Sequence, residues 1–198
     1  MSVSIHQRSY DTEAFAEDDG RLRVRGVLTD TKPQGLGLAD GKPLTIHQMI
    51  VDLYVTMPAF EIVEVRAEMT VHPYEVCTEV LPDYQQLVGL SVTRGYSRRV
   101  KELFGGPNGC SHVGALLQAM GPVAVQASWS LANLHADPGE LTGVGDPGDA
   151  ARRVRLNANS CHVWAEDGDH LAAVAAGRPG TSPSWERERL VELGLAAD

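Results

Sequence analysis

Hydrophobic and polar residues alternate with a period of two along the first third of the chain. Leucine, valine and glycine alternate with arginine over residues 21–26, and apolar residues recur mostly at every second position over residues 45–55 and again over 60–69. Residues 4–15 are polar but rich in residues that strands tolerate. A period of two places alternate side chains on one face of a strand. The pattern predicts two hairpins and an antiparallel sheet of about four strands.

From Cys77 onward the apolar residues recur every three to four positions, which is typical of helices. The spacing predicts one helix over residues 76–88, where Pro82 begins or kinks it, and a short helix over 97–104 with Ser97 as its cap. A long helix is predicted over residues 111–134, with a kink near its Gly-Pro pair. Its predicted inner face consists of Leu116, Leu117, Met120, Ala124, Ala127 and Leu131.

The last third of the chain returns to a mixed pattern. Residues 135–150 concentrate Gly, Pro and Asp, which predicts an exposed connection. A return strand is expected to follow, carrying Val154, Leu156, Cys161, Val163 and Trp164, and a small helix is expected over residues 185–195. The fold class expected is α+β: an antiparallel sheet from the N-terminal hairpins plus the late return strand, packed against helices from the middle of the chain. Residues 1–176 are predicted to form a single domain and residues 177–198 a loose tail.

Composition narrows the classes of function. The chain has 198 residues, 43% of them hydrophobic and 22% charged, as in ordinary globular proteins, and a formal charge of -9. An acidic chain is a poor partner for nucleic acid, because phosphate binding needs clustered Lys and Arg. Neither a membrane-length apolar run nor a signal peptide is present, so a cytoplasmic protein is predicted. The absence of a P-loop and of a dinucleotide fingerprint predicts no nucleotide cofactor.

The strongest chemical signal is Gly109-Cys110-Ser111-His112 at the start of the long predicted helix. With Ser111 as helix cap, Cys110 and His112 would lie at the positive end of the helix dipole, which favours a thiolate and a neutral imidazole. Both forms bind metals, and a thiolate is also a nucleophile. The alternative is a buried structural cysteine beside a capping histidine.

Three further segments contain candidate ligands. Cys77 lies at a predicted junction of strand and helix, and His47 lies within a predicted strand, where a structural role is the alternative. Cys161 and His162 are adjacent in the predicted return strand, so alternation lets only one of them enter a given site. Three cysteines cannot form a closed disulfide framework, and the predicted metal ligands, a donor set suited to zinc, are Cys77, Cys110, His112, His47 and Cys161.

Six motifs together make the chain resemble a bacterial family known as domain of unknown function 2889. They are His6-Gln7-Arg8, residues 28–32, residues 46–49, residues 73–77, residues 109–112 and residues 159–162. The resemblance spans residues 6 to about 165, and it departs at Gln48, where the family pattern has Asp. The resemblance implies that the Cys and His motifs share a site, and it implies no reaction.

The leading hypothesis is a metal-dependent enzyme, with zinc as the expected metal, acting on a small organic molecule. A metal-free enzyme, with catalytic residues drawn from Cys110, His112 and His47, is the first alternative. A non-enzymatic metal-binding or assembly protein is the second. Asp30 is a lower-ranked candidate for a general base, because an Asp at the end of a hairpin usually forms local hydrogen bonds. A homo-oligomer is left open.

Overall fold

A computed structural model describes residues 1–35, 41–134, 147–178 and 184–194. The chain divides into two compact units, Met1–Leu134 and His135–Asp198. The prediction of one domain over residues 1–176 stays a prediction. Most of the predicted exposed connection, residues 135–146, lies outside the described residues. None of the described helices is long and apolar enough to cross a membrane.

The first unit is built on an antiparallel sheet of four strands. The strands follow one another in space as they do in sequence, in the order β1-β2-β3-β4. Their bounds are Gln7–Ala16 for β1, Leu22–Lys32 for β2, Leu44–Thr56 for β3 and Glu61–Val71 for β4. The alternation seen in the sequence is the physical reason, since it gives each of β2, β3 and β4 one apolar face. The predicted sheet is therefore confirmed.

Helix α2, Ser111–Asn133, packs against β1, β2 and β3. Four residues of its predicted inner face, Leu116, Leu117, Met120 and Ala124, are buried. Gly26 on β2 permits this close packing, because a Cβ there would lie 2.7 Å from the Met120 Sδ. The helix continues past Pro122 without ending.

Two shorter elements link the sheet to α2. The predicted helix over residues 76–88 is a 3₁₀ helix, Glu75–Leu87, with Pro82 inside it and Tyr84 and Leu87 buried. Helix α1, Tyr96–Phe104, begins one residue before the predicted start. The prediction that Ser97 caps it is wrong, since Gly95 is the N-cap, with a φ of 65°. Glycine adopts this left-handed conformation without steric penalty.

The second unit is helical where it is described. Its elements are α3 (Pro147–Asn157), a 3₁₀ helix (His162–Trp164), α4 (Asp169–Ala175) and α5 (Ser184–Glu192). The predicted return strand is wrong, because Val154 and Leu156 lie within α3 and Cys161 precedes the 3₁₀ helix. Val154 and Leu156, two positions apart, are too few to specify a strand. The surrounding Ala, Arg and Leu residues favour a helix, which begins at a proline. The predicted terminal helix is confirmed as α5.

Candidate functional site

Asp30 lies on the face of β2 that packs against α2, near the end of the strand. The strand register places Arg8 of β1 on one side of it and His47 of β3 on the other. Directly opposed residues on neighbouring antiparallel strands present their side chains to the same face. The sheet therefore brings a carboxylate, a guanidinium and an imidazole together from three separate strands.

Arg8 binds the Asp30 carboxylate through two hydrogen bonds. Its Nε donates to Oδ1 at 2.6 Å and its Nη2 donates to Oδ2 at 2.7 Å. The Asp30 side chain is only 1% exposed. The Arg8 guanidinium holds the pKa of the Asp30 carboxyl well below its ordinary value, against the opposing effect of burial. Asp30 is therefore ionised at neutral pH although it is buried.

Two histidines contact the same carboxylate oxygen. The Nδ1 of His47 lies 3.0 Å from Asp30 Oδ2, and the Nε2 of His112 lies 3.3 Å from it. Their rings stack with centroids 4.0 Å apart and an angle of 31° between the ring planes. A third histidine, His6, reaches Asp30 Oδ1 at 3.5 Å from a more exposed position. An imidazole that directs one N–H at the carboxylate has its other nitrogen free to accept a proton.

His112 links the carboxylate to Cys110. The Sγ of Cys110 lies 3.5 Å from His112 Nδ1, on the opposite side of the ring from Asp30. Cys110 is the N-cap of α2 and Ser111 is the first helical residue, so the prediction that Ser111 caps the helix is wrong. Burial is the main cause that lowers the pKa of His112, and the neighbouring His47 and Arg8 lower it further. His112 is thus a neutral imidazole at neutral pH.

Tyr84 contacts the site from the 3₁₀ helix Glu75–Leu87. Its hydroxyl oxygen accepts a hydrogen bond from the backbone N–H of Cys110 at 2.9 Å. Burial raises the pKa of Tyr84 to about 12, so the hydroxyl is protonated at neutral pH. The N–H groups of Ser111 and His112 belong to the first helical turn, where no intrahelical acceptor exists.

A divalent metal ion fits part of this arrangement. Asp30, His47 and His112 each offer a ligand atom, and these atoms lie within 4.8 Å of one another. Zinc bonds of about 2.0–2.1 Å place tetrahedral ligand atoms roughly 3.4 Å apart. The nitrogens of His47 and His112 lie 3.0 and 3.3 Å from Asp30 Oδ2, close to that spacing. The Arg8 guanidinium on the same carboxylate opposes a second cation. The donor types and their distances therefore fit a metal ion, whereas the positive charge of Arg8 disfavours one.

The structure brings only some of the predicted residues together. His47, Cys110 and His112 meet around Asp30, whereas Cys77 is half-buried on the 3₁₀ helix Glu75–Leu87 and does not belong to the group of close ligand atoms. Cys161 is exposed and belongs to the second unit.

Sequence reasoning gave no site role to three residues, His6, Arg8 and Tyr84, and it ranked Asp30 low. Asp30 lies in a paired strand rather than in a turn, which overturns the reason for its low rank. The motif His6-Gln7-Arg8 was the sequence signal that could have found two of them, because its two outer residues both contact Asp30. Gln48 points to the opposite face from its neighbour His47, and its Oε1 accepts a hydrogen bond from Thr70.

One family model matches the part of the chain that contains these side chains. The model of a family described as protein of unknown function (DUF2889) matches residues 6–126, a range that includes all the side chains around Asp30 and ends before Cys161. No curated protein and no solved structure matches the chain. Because the match covers more than half of the chain, this protein belongs to the DUF2889 family.

Proposed function

We propose that this protein is an enzyme in which Cys110 is the nucleophile for acyl transfer from a small organic ester, thioester or amide. The observation that carries the proposal is the series of contacts from Cys110 Sγ to His112 Nδ1, and from His112 Nε2 to Asp30 Oδ2, at 3.5 and 3.3 Å. A nucleophile within reach of a base, and a base oriented by a third group, is the arrangement that activates a thiol.

The surroundings of His112 support its role as the base. The Nε2 of His112 lies 3.3 Å from the Asp30 carboxylate, which favours the tautomer protonated at Nε2 and leaves a lone pair on Nδ1 toward the thiol. The lowered pKa of His112 keeps that lone pair available at neutral pH. Cys110 is the N-cap of a 23-residue helix, so the positive end of the helix dipole lies beside the thiol that attacks the substrate.

The proposed reaction proceeds in two balanced halves. The Cys110 thiol gives its proton to His112 Nδ1, the sulfur forms a bond to the carbonyl carbon, and the carbonyl π electrons move to oxygen. When they return, the bond to the leaving group breaks and that group takes the proton from His112. Water then attacks the carbonyl carbon of the thioester and gives a proton to His112. The carbon–sulfur bond breaks, a carboxylic acid leaves, and the sulfur takes the proton back from His112. The first N–H groups of α2 are the donors available to the carbonyl oxygen.

Alkylation of the thiols tests the proposal without knowledge of the substrate. Wild-type protein is treated with iodoacetamide near neutral pH, and each labelled cysteine is quantified by mass spectrometry. Cys161 is exposed, whereas Cys110 and Cys77 are half-buried. Accessibility alone would therefore make Cys161 the fastest, so faster labelling of Cys110 than of both others would support activation. Equal or slower labelling of Cys110 would contradict the proposal.

Two substitutions test whether the activation of Cys110 depends on its contact with His112 and on the contact of His112 with Asp30. His112→Ala and Asp30→Asn should each slow the labelling of Cys110 and leave that of Cys161 unchanged. Asp52→Asn is the matched control, because Asp52 is also buried and also bound by arginines, Arg23 and Arg25. Among the residues that the structure describes, Asp52 makes no hydrogen bond or ion pair with Cys110, His112 or Asp30. Its variant should therefore label as the wild type does.

A second candidate function is a zinc-dependent enzyme in which Asp30, His47 and His112 hold the metal. The closeness of their three ligand atoms favours it, and a bound zinc ion would supply Lewis-acid activation of a carbonyl or of water. Metal analysis after incubation with zinc and dialysis tests this candidate. His47→Ala should lose the metal, whereas Cys110→Ala and Asp52→Asn should retain it. Wild-type protein without zinc after dialysis would contradict it.

A further inference from the structure

Tyr84 joins the 3₁₀ helix Glu75–Leu87 to the first turn of α2. Its side chain is completely buried, and its hydroxyl accepts the Cys110 N–H at 2.9 Å across 26 positions of sequence. The ring packs on Phe104, with centroids 4.7 Å apart. A buried aromatic ring with few accessible rotamers holds its hydroxyl in one place. The hydroxyl therefore holds the backbone N–H of Cys110 in a fixed position.

The segment before Cys110 is also held closely. A Cβ at Gly109 would lie 2.7 Å from the Cβ of Phe104 and 2.8 Å from its carbonyl oxygen, so the chain runs directly against Phe104. Phe104 therefore contacts both the Tyr84 ring and the residue that precedes Cys110. The backbone of Cys110 is extended, with φ of -89° and ψ of 127°, as an N-cap requires.

The geometry points to Tyr84 as a positioning residue of the Cys110 site: it holds the Cys110 amide so that the thiol lies within reach of His112 Nδ1. This inference rests on the proposed role of Cys110 as nucleophile. Loss of the hydroxyl leaves the Cys110 N–H without its partner, and the N-cap is then free to turn away. A shift of about 1 Å in a reacting group is enough to lower a rate severely.

Tyr96 offers a matched control. It is also a buried tyrosine, but its hydroxyl has no hydrogen-bond partner among the residues that the structure describes. Tyr84→Phe and Tyr96→Phe therefore remove the same atom from two buried rings, and only the first removes a bond to Cys110. Any general effect of a missing hydroxyl is shared by both variants.

The test is the iodoacetamide labelling rate of Cys110 relative to Cys161 in the same sample, at a temperature where circular dichroism shows all variants folded. Tyr84→Phe should lower the ratio by about threefold to tenfold, the effect of one hydrogen bond, and Tyr96→Phe should leave it unchanged. A purely structural role for Tyr84 would lower the melting temperature without changing the ratio. If Tyr84→Phe does not fold, 3-fluorotyrosine at position 84 replaces it, because the fluorine weakens the oxygen as an acceptor while the ring is retained.

The outcomes separate the two proposals. A ratio unchanged in the folded Tyr84 variants, with Cys110 still fast in the wild type, overturns the role of Tyr84 alone. Wild-type Cys110 that labels no faster than Cys161 overturns both the nucleophile and its positioning residue. A reduced ratio for Tyr84→Phe with an unchanged ratio for Tyr96→Phe supports the inference.

Discussion

Asp30 and Arg8 face each other across β1 and β2, and both oxygens of the carboxylate accept a hydrogen bond from the guanidinium. The pair keeps a negative charge on the inner side of the sheet, where the Nδ1 of His47 and the Nε2 of His112 lie 3.0 and 3.3 Å from Asp30 Oδ2. In the proposed mechanism, the contact that orients His112 toward Cys110 therefore depends on this ion pair.

Arg8→Ala should destabilise the protein, because it leaves the buried Asp30 charge without its cation. The free energy of unfolding in urea should fall by about 3 kcal/mol. Arg25→Ala is the comparison, since Arg25 is 40% exposed and its partner Asp52 retains Arg23. Arg25→Ala should lower the free energy of unfolding by about 1 kcal/mol or less. Equal losses in the two variants would show that Arg8 contributes no more than a surface pair.

Acid should weaken the fold through Asp30. Its pKa is lower in the folded protein than the unfolded value of 3.8, so its stabilising contribution is complete above that value and is lost as pH falls through the folded pKa. Asp30→Asn lacks this contribution. The wild type should exceed the variant in unfolding free energy at neutral pH, and the difference should narrow as the pH is lowered below 3.8. Urea denaturation from neutral to acid pH measures it, and a constant difference would contradict the prediction.

Tyr96→Phe should stabilise the protein, because it removes a buried hydroxyl that has no partner among the described residues. The expected gain in unfolding free energy is about 1 kcal/mol. Tyr84→Phe should have the opposite sign and a similar size, since it leaves the Cys110 N–H unsatisfied. Thermal and urea unfolding measure both variants. A loss of stability for Tyr96→Phe would indicate that its hydroxyl has a partner.

Gly26→Ala should destabilise the packing of α2 on the sheet. The added Cβ would lie 2.7 Å from Met120 Sδ and 2.9 Å from Leu116 Cδ1, and both side chains are buried. Overpacking of this kind lowers the unfolding free energy by about 1–3 kcal/mol. Gly114→Ala on α2 is the control, because its added Cβ would meet no atom within 4 Å among the described residues, apart from the backbone of its own helix and its chain neighbours. It should stabilise by up to about 1 kcal/mol through helix propensity, and a loss of the same size in both variants would contradict the argument.

The sequence by itself determined the strands and helices that the spacing of nearby apolar residues specifies. Alternation located the strands and their buried faces, and the spacing of Leu116, Leu117, Met120 and Ala124 located the inner side of α2. Around Val154 a short alternating pattern predicted a strand, but the helix propensity of the neighbouring residues produced a helix. The motif at residues 109–112 marked the start of a helix and supplied two of the residues around Asp30.

Only the tertiary structure decided which of the candidates meet. Arg8, Asp30 and His47 become neighbours through the register of three strands, and α2 adds His112 from much later in the chain. Such pairings depend on long-range packing and on the distances between side chains, which local periodicity does not encode. Cys77 and Cys161 carry the same thiol group as Cys110, and the contact between Cys110 and His112 at the N-terminus of α2 distinguishes Cys110 from them.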